Sequence, residues 1–298
     1  MFNRVAIVGL GLIGNSIGLA LHNANAAQQI LGYDPNKGMA NRARKIGAID
    51  QACSKLADAV RGAEFIIVAT PISQMRSLLQ DIATIATPGT VITDVASTKA
   101  QIMSWAEEYL PTSVFFVGGH PILSKDTYDE GQATAALFKN CVYCLTPTKR
   151  TSSTALNTVM QLIELLDARV RFLEPAEHDG LVAGVNHMPF VISAILMNTV
   201  VGSPSWVDAA IVADKSMYDM TRMSSNNPEV YRDICLTNSE ALSRWLGEYI
   251  SELSIFRDQL MLHDSNLIQI FNRSKKVHEQ WQATLDANQS SIYSNESE

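Results

Sequence analysis

Clustered basic charge is what this 298-residue chain most clearly lacks: Lys and Arg number 23 against 30 Asp and Glu, for a formal charge of −7. A nucleic-acid surface needs a stripe of positive charge, so nucleic acid is excluded as a partner. Cysteine is scarce too. Cys53, Cys141, Cys144 and Cys235 are too few for a disulfide framework in a chain of this length. Cys141 and Cys144 form a Cys-x-x-Cys, but within a strand-like run over residues 140–146, which reads as buried structural thiols and no metal site. No repeat of 20–50 residues is visible. No secretory signal precedes the first strand, so the cytoplasm is expected. The longest apolar stretch, residues 181–201, is interrupted by Asn186, His187, Pro189 and Asn198 and has no basic flank. That excludes a membrane span and predicts a helix buried on nearly all sides, as at a subunit interface.

What is present is the composition of an ordinary soluble protein, 47% hydrophobic and 18% charged, long enough for two domains with cores of their own. Its organising stretch is the start. An apolar run over residues 5–8 breaks into Gly9-Leu-Gly-Leu-Ile-Gly14, and helical apolar spacing follows over residues 15–22. Strand, glycine turn and helix start are the context that gives Gly-x-Gly-x-x-Gly its meaning. Gly9 permits the tight turn, Gly11 lets the backbone approach a diphosphate, and Gly14 allows close packing of helix on strand. Leu12 and Ile13 lie at the helix N-terminus, whose free N–H groups suit phosphates. Twenty residues after Gly14, Asp34 ends a second apolar strand, where a carboxylate accepts hydrogen bonds from ribose hydroxyls and repels a 2′-phosphate. The cofactor expected is NAD, with NADP less favoured.

Further strands are expected over residues 62–71, 89–95, 113–119, 142–145 and 169–173, alternating with helices over 39–46, 72–85, 99–110 and 152–166. The alternation predicts an α/β fold with a doubly wound, mostly parallel sheet. From residue 174 only helical periodicity remains. Apolar residues at 242, 246, 249, 253, 256 and 260 share one face, and a last helix is expected over 264–286. The expected organisation is a dinucleotide-binding domain over 1–173, an all-α domain over 174–287, and a disordered tail over 288–298.

Ligands bind at the carboxyl ends of parallel strands. Thr70 and Pro71, Ser97, and His120 stand at three such ends. Thr70, Pro71 and Ser97 are candidates to line the cofactor. His120 follows Gly118-Gly119 and precedes Pro121, and an imidazole at that lip is a candidate general base because its ordinary pKa is near 6.5. Ser97 opens a helix, where it can cap and also touch substrate.

These residues resemble the prephenate/arogenate (cyclohexadienyl) dehydrogenase family of tyrosine biosynthesis. Besides the glycine loop, the resemblance rests on Asp94-Val-Ala-Ser-Thr-Lys99, Gly119-His-Pro-Ile122, Leu137-Phe138, Glu177-His-Asp179, Asn186-His-Met-Pro189, Thr221-Arg222 and Pro228-Glu-Val-Tyr-Arg-Asp233. It implies a Rossmann domain followed by a helical domain that dimerises, with the active site between them and no metal. It implies oxidative decarboxylation of prephenate to 4-hydroxyphenylpyruvate with NAD⁺, or of arogenate. His120 would be the base on the ring 4-hydroxyl, Ser97 would bond the same hydroxyl, and Arg222 would hold a substrate carboxylate. His187 and Tyr231 would belong to the substrate pocket.

Three positions depart from the pattern. Phe190 replaces a second histidine, Lys215-Ser216 replaces a Gly-Gly pair, and Ser124 replaces a glycine. Lys215 could pair with the pyruvyl carboxylate of prephenate or be a solvated helix residue. With no extra regulatory domain, any inhibition by tyrosine should act at the active site. The competing readings are a β-hydroxyacid-type NAD-dependent dehydrogenase and a non-catalytic NAD-binding sensor. The first needs a lysine that residues 177–214 do not provide, and the second leaves His120, Ser97 and Arg222 unexplained.

Overall fold

The computed structural model of the chain describes residues 1–123 and 131–295. Among them, strands β1 (Phe2–Val8), β2 (Ala27–Tyr33), β3 (Gln51–Cys53), β4 (Phe65–Val68), β5 (Val91–Asp94), β6 (Phe115–Ile122), β7 (Val142–Thr146) and β8 (Arg169–Phe172) form one sheet. Its order is β3-β2-β1-β4-β5-β6-β7-β8. Every pairing is parallel except β6 with β7, where His120 stands opposite Cys144. The helices are α1 (Leu12–Asn23), α2 (Lys37–Lys45), α3 (Leu56–Val60), α4 (Ile72–Ala83), α5 (Ala100–Tyr109) and α6 (Ser153–Leu165).

The central strands are apolar throughout because both faces are covered. Val5, Ile7, Phe65 and Ile67 enter one core, while Ala6, Val8, Ile66 and Val68 enter the other. Each such buried branched side chain contributes about 1.5–3 kcal/mol, so the alternation fixes the register of β1 against β4. The three-residue strand β3 was not legible beforehand; its Gln-Ala-Cys carries no run of branched residues.

After β8 the chain is helical: α7 (Pro175–Val182), a π-helical turn (Ala183–His187), α8 (Met188–Val201), α9 (Trp206–Val212), α10 (Lys215–Thr221), a 3₁₀ turn (Arg222–Ser225), α11 (Pro228–Thr237), α12 (Ser239–Met261) and α13 (Leu267–Asn295). Residues 1–242 form one compact unit and residues 243–298 a second. In the second, Phe256 and Phe271 meet edge to face with ring centroids 6.1 Å apart.

Two expectations need correction. The apolar stretch 181–201 is not a helix buried on nearly all sides, since only Phe190 and Ser193 are buried on α8 while Leu181, Val185 and Ile195 are exposed. Pro175–Val201 is long and apolar enough to cross a membrane, with a mean hydropathy of 1.6. Four of its polar residues, His178, Asp179, His187 and Ser193, are nonetheless buried in the protein, as in a helix packed on a protein interior. The final helix, expected to stop at residue 286, continues to Asn295, and residues 296–298 of the expected tail lie outside the described residues. So does Ser124.

Candidate active site

The glycine loop takes the shape its spacing predicts. Gly9 has φ +93°, and a Cβ there would lie 2.5 Å from the Ala69 carbonyl. A Cβ at Gly14 would lie 2.0 Å from the Gly9 oxygen, so α1 can sit on β1 only without one. Gly11 has nothing within 4 Å of its Cβ position. Its α carbon faces open space at the N-terminus of α1, which has neither a side-chain cap nor an acidic residue in its first turn. The N–H groups there remain available to an anion.

That space is a cleft of ≈ 560 Å³ in which Gly9, Gly11, Leu12 and Ile13 face Thr70, Pro71 and Ser97, with Asp34 at one end. Gly14 packs beneath it. Asp34 is oriented by two backbone donors, Leu10 N–H to Oδ2 (2.9 Å) and Asn36 N–H to Oδ1 (2.8 Å). Both oxygens keep a lone pair for further donors. The Thr70 hydroxyl is buried with no partner among the described residues, as expected of a group that bonds a ligand.

A second cleft of ≈ 390 Å³ adjoins the first, and Ser97, Val230 and Ile234 belong to the walls of both. Its other walls include His120, His187, Phe190 and Tyr231. His187 sits on the π-helical turn, an element frequent at functional sites. Its Nδ1 meets the Asn238 amide at 3.2 Å, while Nε2 makes no hydrogen bond. Burial is the main reason its pKa drops to about 4, against the opposing pull of Asp179. At neutral pH it is an uncharged donor or acceptor.

His120 is held by what lies beneath it. Lys99 and Asp94 form an ion pair with both side chains fully buried. Lys99 Nζ also donates to the Gly119 carbonyl (2.7 Å), and Asp94 Oδ1 accepts Gly119 N–H (3.1 Å). The residue before His120 is thus gripped through both backbone groups. Burial pushes the Lys99 ammonium down and Asp94 pushes it up. His120 is 7% exposed, and its pKa lies well below the ordinary imidazole value, first because it is buried and then because His178, Lys99 and His187 surround it.

The other predicted residues divide. His187 and Tyr231 come to the same cleft as His120 and Ser97. Arg222 is exposed and does not line it, although the next residue, Met223, does. Lys215, the first residue of α10, is also exposed and away from both clefts. Cys144 is buried, Cys141 partly so, and burial pushes the Cys141 thiol up to about 12, so these are inert thiols. Among the described residues no group of His, Cys, Asp and Glu could hold a metal ion. Sequence reasoning used Asp94, Lys99, His178 and Asp179 only as members of motifs, with no role assigned, and did not single out Asn238. The available signal was charge inside apolar runs, because such residues are rarely buried without partners.

Comparison with known proteins adds the lineage. The family signature described as the prephenate dehydrogenase nucleotide-binding domain covers residues 17–172, and that of the prephenate dehydrogenase dimerization domain covers residues 174–267. The chain is 31% identical to a prephenate dehydrogenase of Bacillus subtilis over 278 residues, 92% of this chain and 75% of the relative. It is 27% identical to a cyclohexadienyl dehydrogenase of Zymomonas mobilis over 280 residues, 93% and 95% of the two chains. Among solved structures, the arogenate dehydrogenase of Synechocystis superposes with a TM-score of 0.78 at 26% identity, covering 93% of this chain and 99% of that one. A prephenate dehydrogenase of Aquifex aeolicus shares the fold with a TM-score of 0.85 at 24% identity, over 94% and 98% of the chains.

Proposed function

The chain belongs to the prephenate dehydrogenase family, and on that premise we propose that it oxidises and decarboxylates prephenate to 4-hydroxyphenylpyruvate with NAD⁺, in the cytoplasm, for tyrosine biosynthesis. The observation that carries this reading is that two clefts meet at Ser97, with the glycine loop in one and His120 in the other. A solved relative carries NAD⁺ with hydroxyphenyl propionate, and the curated relatives act on prephenate or on cyclohexadienyl substrates.

The residues of the first cleft fit NAD⁺. Open space at Gly11, the bare N-terminus of α1 and the unpartnered Thr70 hydroxyl suit the diphosphate and its neighbours, and Asp34 suits the ribose diol. Bound there, NAD⁺ supplies the hydride acceptor. In the second cleft His120 Nε2 takes the proton of the ring 4-hydroxyl, and the Ser97 hydroxyl bonds the same oxygen. A neutral imidazole is what that step needs, and burial keeps His120 neutral. As the ring carbon is oxidised, the new ketone is conjugated to the carbon bearing the carboxylate. The carboxylate leaves as CO₂, and its electron pair completes the aromatic ring.

His187 Nε2 and the Tyr231 side of the cleft hold the substrate, and Arg222, beside the lining residue Met223, stays the candidate for a carboxylate at the mouth. The helical part from residue 174 pairs with a second copy, which would cover Val207 (74% exposed), Ile211 (79%) and Val212 (82%). Sedimentation or light scattering would read that dimer.

The test is direct. Purified protein mixed with NAD⁺ and prephenate should form NADH, followed by absorbance, with release of CO₂. Arogenate is the second substrate to offer, because relatives include cyclohexadienyl and arogenate dehydrogenases. No NADH from either substrate would overturn the reading.

A further inference from the structure

His120 does not stand alone. Its Nδ1 lies 2.9 Å from His178 Nε2, and His178 Nδ1 lies 2.8 Å from Asp179 Oδ1. The two rings meet edge-on, with centroids 5.1 Å apart and planes at 71°. All three residues are buried. Asp179 is anchored independently, because Oδ1 also accepts Lys99 N–H (2.7 Å) and Oδ2 accepts Ala100 N–H (2.8 Å) at the start of α5.

Hydrogen-bond complementarity gives this row a direction. Asp179 receives two backbone donors, which favour its ionised, acceptor-only form. His178 must therefore donate from Nδ1, and a neutral His178 then carries its lone pair on Nε2. His120 must donate to it from Nδ1, and a neutral His120 is left with its lone pair on Nε2, the nitrogen free to serve the cleft. Resting on the function proposed above, we infer that His178 and Asp179 are positioning residues for that reaction: they fix the tautomer of His120 and stabilise the imidazolium it becomes on taking the substrate proton.

Among the described residues, the other titratable and charged groups around His120 are Lys99 and Asp94 beneath it, His187 across the cleft, and Tyr143 and Cys144 on β7. Lys99 and His187 oppose a positive charge on His120, as a charged His178 would; a His178 that donates to Asp179 and accepts from His120 instead supports it. Asp94 is already bonded to Lys99 and to the Gly119 and Ala96 backbone. Asp179, reached through His178, is the carboxylate connected to the ring by hydrogen bonds. The arrangement is that of a carboxylate–histidine pair aiming a catalytic base, with an imidazole standing between them.

The experiment uses the full chain, wild type and with His178→Leu or His178→Gln. Steady-state kinetics with NAD⁺ and prephenate are measured against pH. Long-range ¹H–¹⁵N spectra of the imidazole rings report the His120 tautomer, with His120 assigned by its loss in His120→Asn. Wild type should show His120 protonated at Nδ1. In His178→Leu the tautomer should shift toward Nε2–H and kcat should fall roughly 10²-fold or more, with little change in KM. In His178→Gln the amide oxygen can still accept from Nδ1, so the tautomer should persist. Its kcat should fall less, and the acid limb of its pH profile should move to lower pH because the imidazolium has lost its support. If His178→Leu does not fold, His178→Gln decides. A wild-type pH profile in the Gln variant, or a wild-type tautomer in the Leu variant, overturns the inference. Failure of the proposed function looks different: wild type would form no NADH, while the spectra would still read the tautomer.

Discussion

Phe190 lies flat on Tyr231, with ring centroids 3.8 Å apart and planes 3° from parallel, where both side chains face the cleft that holds His120. The resemblance places a second histidine at position 190, so a stacking group stands here where a hydrogen-bonding one is expected. The Tyr231 hydroxyl bonds the Asn226 amide, which ties the stack to the loop before α11. Phe190→Leu keeps most of the volume and loses the stack. Stability should fall by about 0.5–1.5 kcal/mol, read from urea denaturation, and KM for the ring substrate should rise as Tyr231 is released. An unchanged KM would mean that the stack is a core contact only.

Asp34 should make NAD⁺ the better cofactor. Its carboxylate is aimed by the backbone of Leu10 and Asn36, so a 2′-phosphate would meet a fixed negative charge. Asp34→Ser should narrow the ratio of kcat/KM values for NAD⁺ over NADP⁺. Equal values for the two cofactors in the unaltered protein would remove Asp34 from this role.

Most of the dinucleotide fold was readable because each element there obeys a local rule. The parallel strands are unbroken apolar runs, and Gly9 and Gly14 sit where a Cβ would collide with backbone. The site was readable only in part. Ser97 and His120 follow strands and could be placed by the rule that ligands bind at strand ends. Tyr231 comes to the cleft, and His178 and Asp179 come behind His120, through packing of helices far along the chain, and no local spacing encodes that. The exposure of residues 181–201 was misread for a related reason. A helix apolar all round predicts burial, but a single chain need not supply the surface that buries it.

Activity should persist to lower pH than an ordinary histidine would allow. His120 must be unprotonated to act, and burial, with Lys99 nearby, holds its pKa well below 6.5. The acid limb of kcat/KM should therefore fall below pH 6.5, not through neutrality as the unperturbed value suggests. His120→Asn should lower kcat by roughly 10²–10⁴-fold and abolish that limb. An Asn variant with more than about half the activity would be incompatible with a general base.

Lys215 was a candidate partner for the keto-acid side chain of prephenate, but it is exposed beside the Asp214 cap of α10 and lines neither cleft. Lys215→Ala should therefore leave the prephenate-to-arogenate ratio of kcat/KM values unchanged. The proposal of prephenate as the substrate then rests on the similarity to the Bacillus subtilis enzyme. A shift of that ratio toward arogenate would return the lysine to the substrate site.

The buried pair Lys99 and Asp94 should be costly to break from one side. Both side chains are fully buried, and together they hold the Gly119 backbone that presents His120. Lys99→Met leaves the Asp94 carboxylate without its cation in the interior. It also leaves the Gly119 carbonyl without its donor. Removing one partner of such a pair costs about 3–5 kcal/mol, so the denaturation midpoint should drop sharply at neutral pH. The double variant Asp94→Asn with Lys99→Met removes that charge outright and should recover part of the stability at pH 7. A single variant as stable as wild type, or a double variant no more stable than the single one, would mean that the pair is neutral in the folded chain.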